Sequence, residues 1–189
     1  MSVFDTSLLL ATGAGALRCG TALLFVGAAL PKLRNRSAFA GVVANYKLLP
    51  RSLVGVVAAL LPWGELALAA GLLVPLTASL AAFSAALLLT LFAGAIAINI
   101  ARGRAHIDCG CRGDELRQPL RTGMVVRNLV WAGLLTGSAG ISGLVPVSMA
   151  QGLALLVALV AGLLGAMLLH ILEIFWALPA RRARPQAGG

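Results

Sequence analysis

Charge is scarce in this chain. Only 11% of the 189 residues are charged, six of them acidic, against roughly 25% in an ordinary soluble domain. Hydrophobic residues make up 60%, with a mean hydropathy of +0.96. That balance excludes a water-soluble globular domain. Low-complexity tracts and long linkers are also missing. The longest polar stretch lies between Arg102 and Arg121, and one domain over 1–189 is expected. The first residues carry Asp5 and neither Lys nor Arg, so a signal peptide, which needs a positive leading segment, is not expected. A lipoprotein signal ending at Cys19 fails for the same reason, and Arg18 stands where a small residue belongs.

What is present is a series of long apolar runs. Five candidate spans fall at 8–30, 53–76, 77–100, 124–145 and 147–178. About 20 apolar residues in a helix cross a ~30 Å hydrocarbon core. Pro75 and Pro146 mark the tight turns between spans two and three and between four and five. Gly133, Gly137, Ser138, Gly140, Ser142 and Gly143 dilute the fourth span and point to close helix packing. Phe39, Val42, Val43, Tyr46 and Leu49 recur at helical spacing between spans one and two. They predict a short amphipathic helix on the membrane surface, capped by Asn35 or Ser37 and ended by Pro50. The expected fold is all-α, a polytopic transmembrane helix bundle of about five spans plus this interfacial helix.

The net charge of +9 would suggest nucleic acid in a soluble protein. Here the basic residues flank apolar segments, so the lipid bilayer is the expected partner and nucleic acid is not. Lys32, Arg34, Arg36, Lys47 and Arg51 follow span one, and Arg102, Arg104, Arg112, Arg117, Arg121 and Arg127 follow span three. Arg181, Arg182 and Arg184 follow span five, whereas the connections at Pro75 and Pro146 carry no Lys or Arg. The positive-inside rule then predicts a multi-pass protein of the cell's inner (plasma) membrane. Its N-terminus lies outside, and its C-terminus and the 101–123 loop lie in the cytoplasm.

Arg18 and Glu65 fall inside spans one and two at equal offsets from their basic ends. A lone charge at mid-membrane costs about 2.5–3.5 kcal/mol, so the two are expected to touch. They serve either as a helix-locking ion pair or as a polar pocket that binds a quinone carbonyl or relays a proton. His170 and Glu173 share a face of span five near its end, where interfacial solvation suffices. Asn99 and Asn128 are placed to hydrogen-bond across the bundle near the polar loop.

The segment His106-Ile107-Asp108-Cys109-Gly110-Cys111 is the one stretch that reads as chemical. Three readings compete. Cys109 and Cys111 can cycle between dithiol and a strained, exchangeable disulfide, with Gly110 giving the backbone freedom that closure demands. Basic neighbours, Arg104, Arg112 and a protonated His106, favour the nucleophilic thiolate, while Asp108 opposes it. Alternatively His106, Asp108, Cys109 and Cys111 hold a metal, although zinc sites usually draw on two separated ligand pairs. Or the cysteines are inert, as the third one, Cys19, is expected to be.

Several segments resemble the methylamine-utilisation MauE family, within the wider MauE/DoxX-like group of redox-associated membrane proteins. They are Ala29-Leu30-Pro31-Lys32-Leu33, Phe39, Tyr46-Lys47-Leu48-Leu49-Pro50, Leu61-Pro62-Trp63-Gly64-Glu65-Leu66, Asn99-Ile100-Ala101-Arg102-Gly103-Arg104, Ile107-Asp108-Cys109-Gly110-Cys111 and Arg127-Asn128. The resemblance covers most of 16–128 and fades in span five. It implies a membrane protein of redox maturation, working with a thioredoxin-like partner on a disulfide-rich dehydrogenase subunit, or with quinone. Cys109 and Cys111 become the redox pair, assisted by His106 and Asp108, with Arg18 and Glu65 as the substrate or quinone pocket and no metal or covalently bound cofactor. Such maturation happens outside the cytoplasm, whereas charge counting puts both cysteines inside. The rival expectation is a non-enzymatic membrane scaffold that recruits a redox enzyme through its basic loops. A transporter would show paired broken helices in related halves, which the sequence does not.

Overall fold

The computed structural model describes residues 3–110 and 118–141, and single helical positions between Val160 and Leu172. Five helices are defined: α1 (Val3–Arg34), α2 (Arg36–Tyr46), α3 (Arg51–Leu73), α4 (Ala78–Ala101) and α5 (Thr122–Ile141). The ends of α3 and α4 lie within three residues of the sequence expectation. Most of the fifth span, with Pro146, His170, Glu173 and Trp176, lies outside the described residues.

The side-chain pattern is that of a chain solvated by lipid. In α4 six of the nine buried residues are alanine, Ala78, Ala81, Ala82, Ala85, Ala86 and Ala93, beside Leu89, Ile96 and Asn99, while Leu80, Phe83, Leu87 and Leu91 point out, 51–72% exposed. Large apolar residues outside and alanine inside let helix backbones approach where lipid offers no hydrophobic drive to associate. α1, α3 and α4 are each long and apolar enough to cross a bilayer. The 20-residue α5 is not among those three, as its dilution by glycine foreshadowed.

α5 packs on α4 through Ala132, Leu135 and Ala139, with Ala22 and Phe25 of α1 in the same core. Trp131 Nε1 donates to Thr21 Oγ1 at 2.8 Å, tying α5 to α1. The glycines of α5 do not make this contact. Among the described residues, nothing lies within 4 Å of a Cβ built on Gly133, Gly137 or Gly140. Close backbone approach occurs instead at Gly20 of α1, whose built Cβ would lie 3.3 Å from the carbonyl oxygen of Gly162. Cys19 packs at this crossing, its Cβ 2.9 Å from one built on Gly162.

The short helix between spans one and two is present. Asn35 Oδ1 accepts from the Ala38 amide at 3.2 Å and caps it. Its end differs from expectation. Lys47 adopts a left-handed conformation, φ 49°, and closes α2 after Tyr46, whereas Pro50 stands at the N-cap of α3. A proline there costs nothing, because the first amides of a helix have no partner to lose.

Candidate functional site

The basic end of the bundle gathers α2, the end of α4 and the cysteine loop. α4 stops in a Schellman motif: the Gly103 amide donates to Ile100 O at 2.9 Å and the Arg104 amide to Asn99 O at 2.9 Å. Gly103 takes φ 71°, the conformation this motif requires. The Ala-Arg-Gly-Arg sequence is therefore a helix stop that aims Arg104 back at the bundle. Arg104 Nη1 donates to Asn99 Oδ1 at 3.1 Å and to Tyr46 O at 3.4 Å, and Nη2 donates to Asn45 O at 2.5 Å. One guanidinium thus satisfies the open carbonyls at the end of α2 and holds the buried Asn99. Among the described residues the bonds of Asn99 are local rather than across the bundle: its Oδ1 accepts from Arg104 just past the helix end, and its Nδ2 donates within α4 to Ala95 O at 3.0 Å.

Beyond this stop the loop closes on itself. Cys109 N donates to Gln118 O at 3.0 Å and Leu120 N to Ala105 O at 2.9 Å, around an antiparallel bridge between Asp108 and Pro119. Asp108 Oδ1 accepts from the Gln118 amide at 3.1 Å and the Gly110 amide at 3.4 Å. Its carboxylate therefore shapes the backbone around Cys109. Ile107 and Leu120 bury against Ile96 of α4, with Cys109 and Tyr46 packed beside them. Tyr46 Oη donates to Cys109 O at 3.3 Å. Gly110 takes φ 71°, and a Cβ there would come 2.6 Å from Val42 Cγ1 and 3.6 Å from Phe39 Cε2. Only glycine lets the loop lie this close to α2. Cys109 is half-buried and His106 is exposed on the outside of the turn. Cys111, with Arg112 and Arg117, lies outside the described residues.

The charge inside the bundle is paired differently from the sequence expectation. Glu65 does not meet Arg18. Lys32 Nζ donates to Glu65 Oε1, with the two side chains 6% and 1% exposed. The Lys32 ammonium also sits 5.2 Å from the Phe39 ring centroid and 5.6 Å from that of Phe92, within reach of their negative faces. Arg18 lies 14 residues earlier on the same helix, about 21 Å along its axis. Its Nη2 donates to Ser138 O of α5. The equal-offset reasoning failed because α1 does not stop at Leu30. It runs through Pro31 to Arg34, carrying Lys32 to a point 14 residues into α3.

Lys32 also links this pair to the loop. A cavity of about 20 Å³ is lined by Lys32, Asn35, Phe39, Val42, Asp108 and Gly110, among others. Lys32, as the partner of Glu65, and Tyr46, as the support of the Cys109 carbonyl, are site residues that charge counting and spacing missed. The available signal was their presence, with Glu65 and Cys109, in the segments that carry the family resemblance. Among the described residues no group of three or more metal-ligating side chains converges.

Comparison with known proteins shows the family of the chain. Residues 7–141 match the family model described as Methylamine utilisation protein MauE. The chain is 47% identical over 161 residues to Methylamine utilization protein MauE of Paracoccus denitrificans, covering 80% of this chain and 87% of that one. It is 54% identical over 118 residues to the protein of that name from Methylophilus methylotrophus, covering 60% of each. Against that of Paracoccus versutus it is 42% identical over 167 residues, covering 88% of each. No solved structure matches. The chain belongs to the MauE family of methylamine utilisation proteins.

Proposed function

We propose that this chain is a membrane-embedded redox protein of methylamine utilisation that carries out thiol–disulfide exchange at Cys109 and Cys111. Its electrons pass to or from quinone or a thioredoxin-like partner protein. The observation that supports this most is how Cys109 is held. Its amide and carbonyl are fixed by Gln118 and Tyr46, and Gly110 beside it is pressed against α2. An inert loop cysteine has no need of such a frame, whereas exchange chemistry needs the sulfur in one place. A Cys-Gly-Cys disulfide closes a small strained ring, which makes it oxidising and exchangeable. Asp108 serves as the backbone clamp of this frame, and His106, on the exposed side, is placed to meet a partner protein.

Charge distribution assigns the loop to the cytoplasmic face of the inner membrane, with the N-terminus outside. On that side the partner's thiols are cytoplasmic, or the bundle relays electrons to a reaction outside.

The test is complementation of a methylotroph that lacks its own MauE. The double variant Cys109→Ser, Cys111→Ser is expected to reach wild-type abundance in the membrane and to give no growth on methylamine. Full growth with both sulfurs gone would replace this reading with a scaffold that recruits a redox enzyme through its basic loops.

A further inference from the structure

A partner that exchanges with a disulfide must attack one of its two sulfurs first. The attacking thiolate approaches in line with the S–S bond, so access to the sulfur decides which one it meets. Cys109 is half-buried, and its side chain packs against the cluster of Ile96, Ile107 and Leu120, together with Tyr46 and Ile100. The backbone around it is held down. Its amide donates to Gln118 O, and its carbonyl accepts from Tyr46 Oη. The next residue, Gly110, is buried where an added Cβ would meet Val42 and Phe39. The inner side of the Cys109 sulfur is therefore filled, and a second sulfur can bond to it only from the open side. The line from that bond back through Cys109 Sγ runs into the cluster. No attacking thiolate fits there.

We infer that Cys109 is the inner sulfur of the pair and that Cys111 is the one that exchanges with a partner. The inference rests on the thiol chemistry proposed above. A partner thiolate attacks Cys111 Sγ, the bond between Cys109 and Cys111 breaks, and Cys109 leaves as a thiolate that takes up a proton. The partner's second thiolate then attacks its own first sulfur, and Cys111 leaves and is protonated in turn. The partner has lost two electrons and two protons, and the loop holds two thiols. An oxidant of the quinone class restores the disulfide and becomes quinol. When the loop gives electrons instead, Cys109 is the thiolate that forms as Cys111 attacks outward and that then resolves the mixed disulfide. The roles hold for either direction of electron flow.

The test uses reduced membranes carrying Cys109→Ser or Cys111→Ser, so that each sulfur is met alone. The probes are oxidised glutathione, which is bulky, and methyl methanethiosulfonate, which is small, with the modified cysteine read by peptide mapping. In Cys109→Ser, Cys111 is expected to take up glutathione. In Cys111→Ser, Cys109 is expected to do so on the order of tenfold more slowly, since access governs exchange, while still reacting with the small reagent. Adding Gly110→Ala, which parts the loop from α2, is expected to bring Cys109 close to the rate of Cys111. Cys109 reacting with glutathione as fast as Cys111, or faster, overturns the inference. A slow Cys109 that Gly110→Ala leaves slow also overturns it, because packing is then not the cause. Added short-chain quinone judges the thiol reading separately. A wild type that forms no disulfide overturns that reading and the exchange order with it. A wild type that forms one, with Cys109 the faster thiol, overturns the order alone.

Discussion

Glu65→Ala is expected to cost about 3–5 kcal/mol, the penalty for leaving a buried charge without its partner. Lys32 would then face two aromatic rings and no carboxylate, in a bundle where it is 6% exposed. Lys32→Ala should cost a similar amount, by stranding Glu65. At roughly 1.4 kcal/mol per tenfold, either loss shifts the folding equilibrium by about two to three and a half orders of magnitude. Most of the protein should disappear from the membrane, as quantitative fluorescence of a tagged chain would show. The double variant Lys32→Met, Glu65→Leu should recover most of the abundance, since packed apolar residues replace buried pairs at little cost. A double variant whose loss is the sum of the two single losses would show that the pair does not interact energetically.

Gly110→Ala should be the most damaging single change in the loop, and Gly103→Ala is its internal control. Both glycines take φ 71°, so either alanine costs about 1–2 kcal/mol of left-handed strain. At Gly103 nothing lies within 4 Å of the added Cβ, whereas at Gly110 it meets Val42 Cγ1 at 2.6 Å. That clash forces α2 and the loop apart and adds about 1–3 kcal/mol. Separation would break the Tyr46 bond to the Cys109 carbonyl and expose Cys109. Site-resolved maleimide labelling of reduced membranes should therefore show Cys109 reacting faster in Gly110→Ala than in Gly103→Ala. Equal rates would mean that the loop does not rest on α2.

The helices were legible in the sequence because membrane embedding needs long apolar runs, and the ends of α3 and α4 follow from them closely. The helix stop at Gly103 and the cap at Asn35 have local signatures of the same kind. Tertiary register is a different matter. Lys32, Leu33 and Arg34 read as the start of a basic connection, yet the helix carries Lys32 into the bundle, where Glu65 repays its burial. Nothing local to Lys32 distinguishes a cation that pairs inside from one that anchors at the surface. The glycines of α5 look like packing sites by composition, but packing depends on which face meets a neighbour, and Ala132, Leu135 and Ala139 occupy that face. Likewise Cys109 and Cys111 stand out by type and spacing, whereas Tyr46 and Arg104, which fix the loop, lie 63 and five residues away from Cys109. Their contacts arise only once α2 folds against the end of α4.

Redox activity at Cys109 and Cys111 is the central claim, and thiol trapping in native membranes tests it most directly. Free thiols are tagged with a maleimide, then the membranes are reduced and a second maleimide is applied. A fraction of both cysteines that reacts only after reduction, and that grows when quinone or another oxidant is added, is the predicted result. Thiols that are always free, and unchanged by any oxidant, would contradict it.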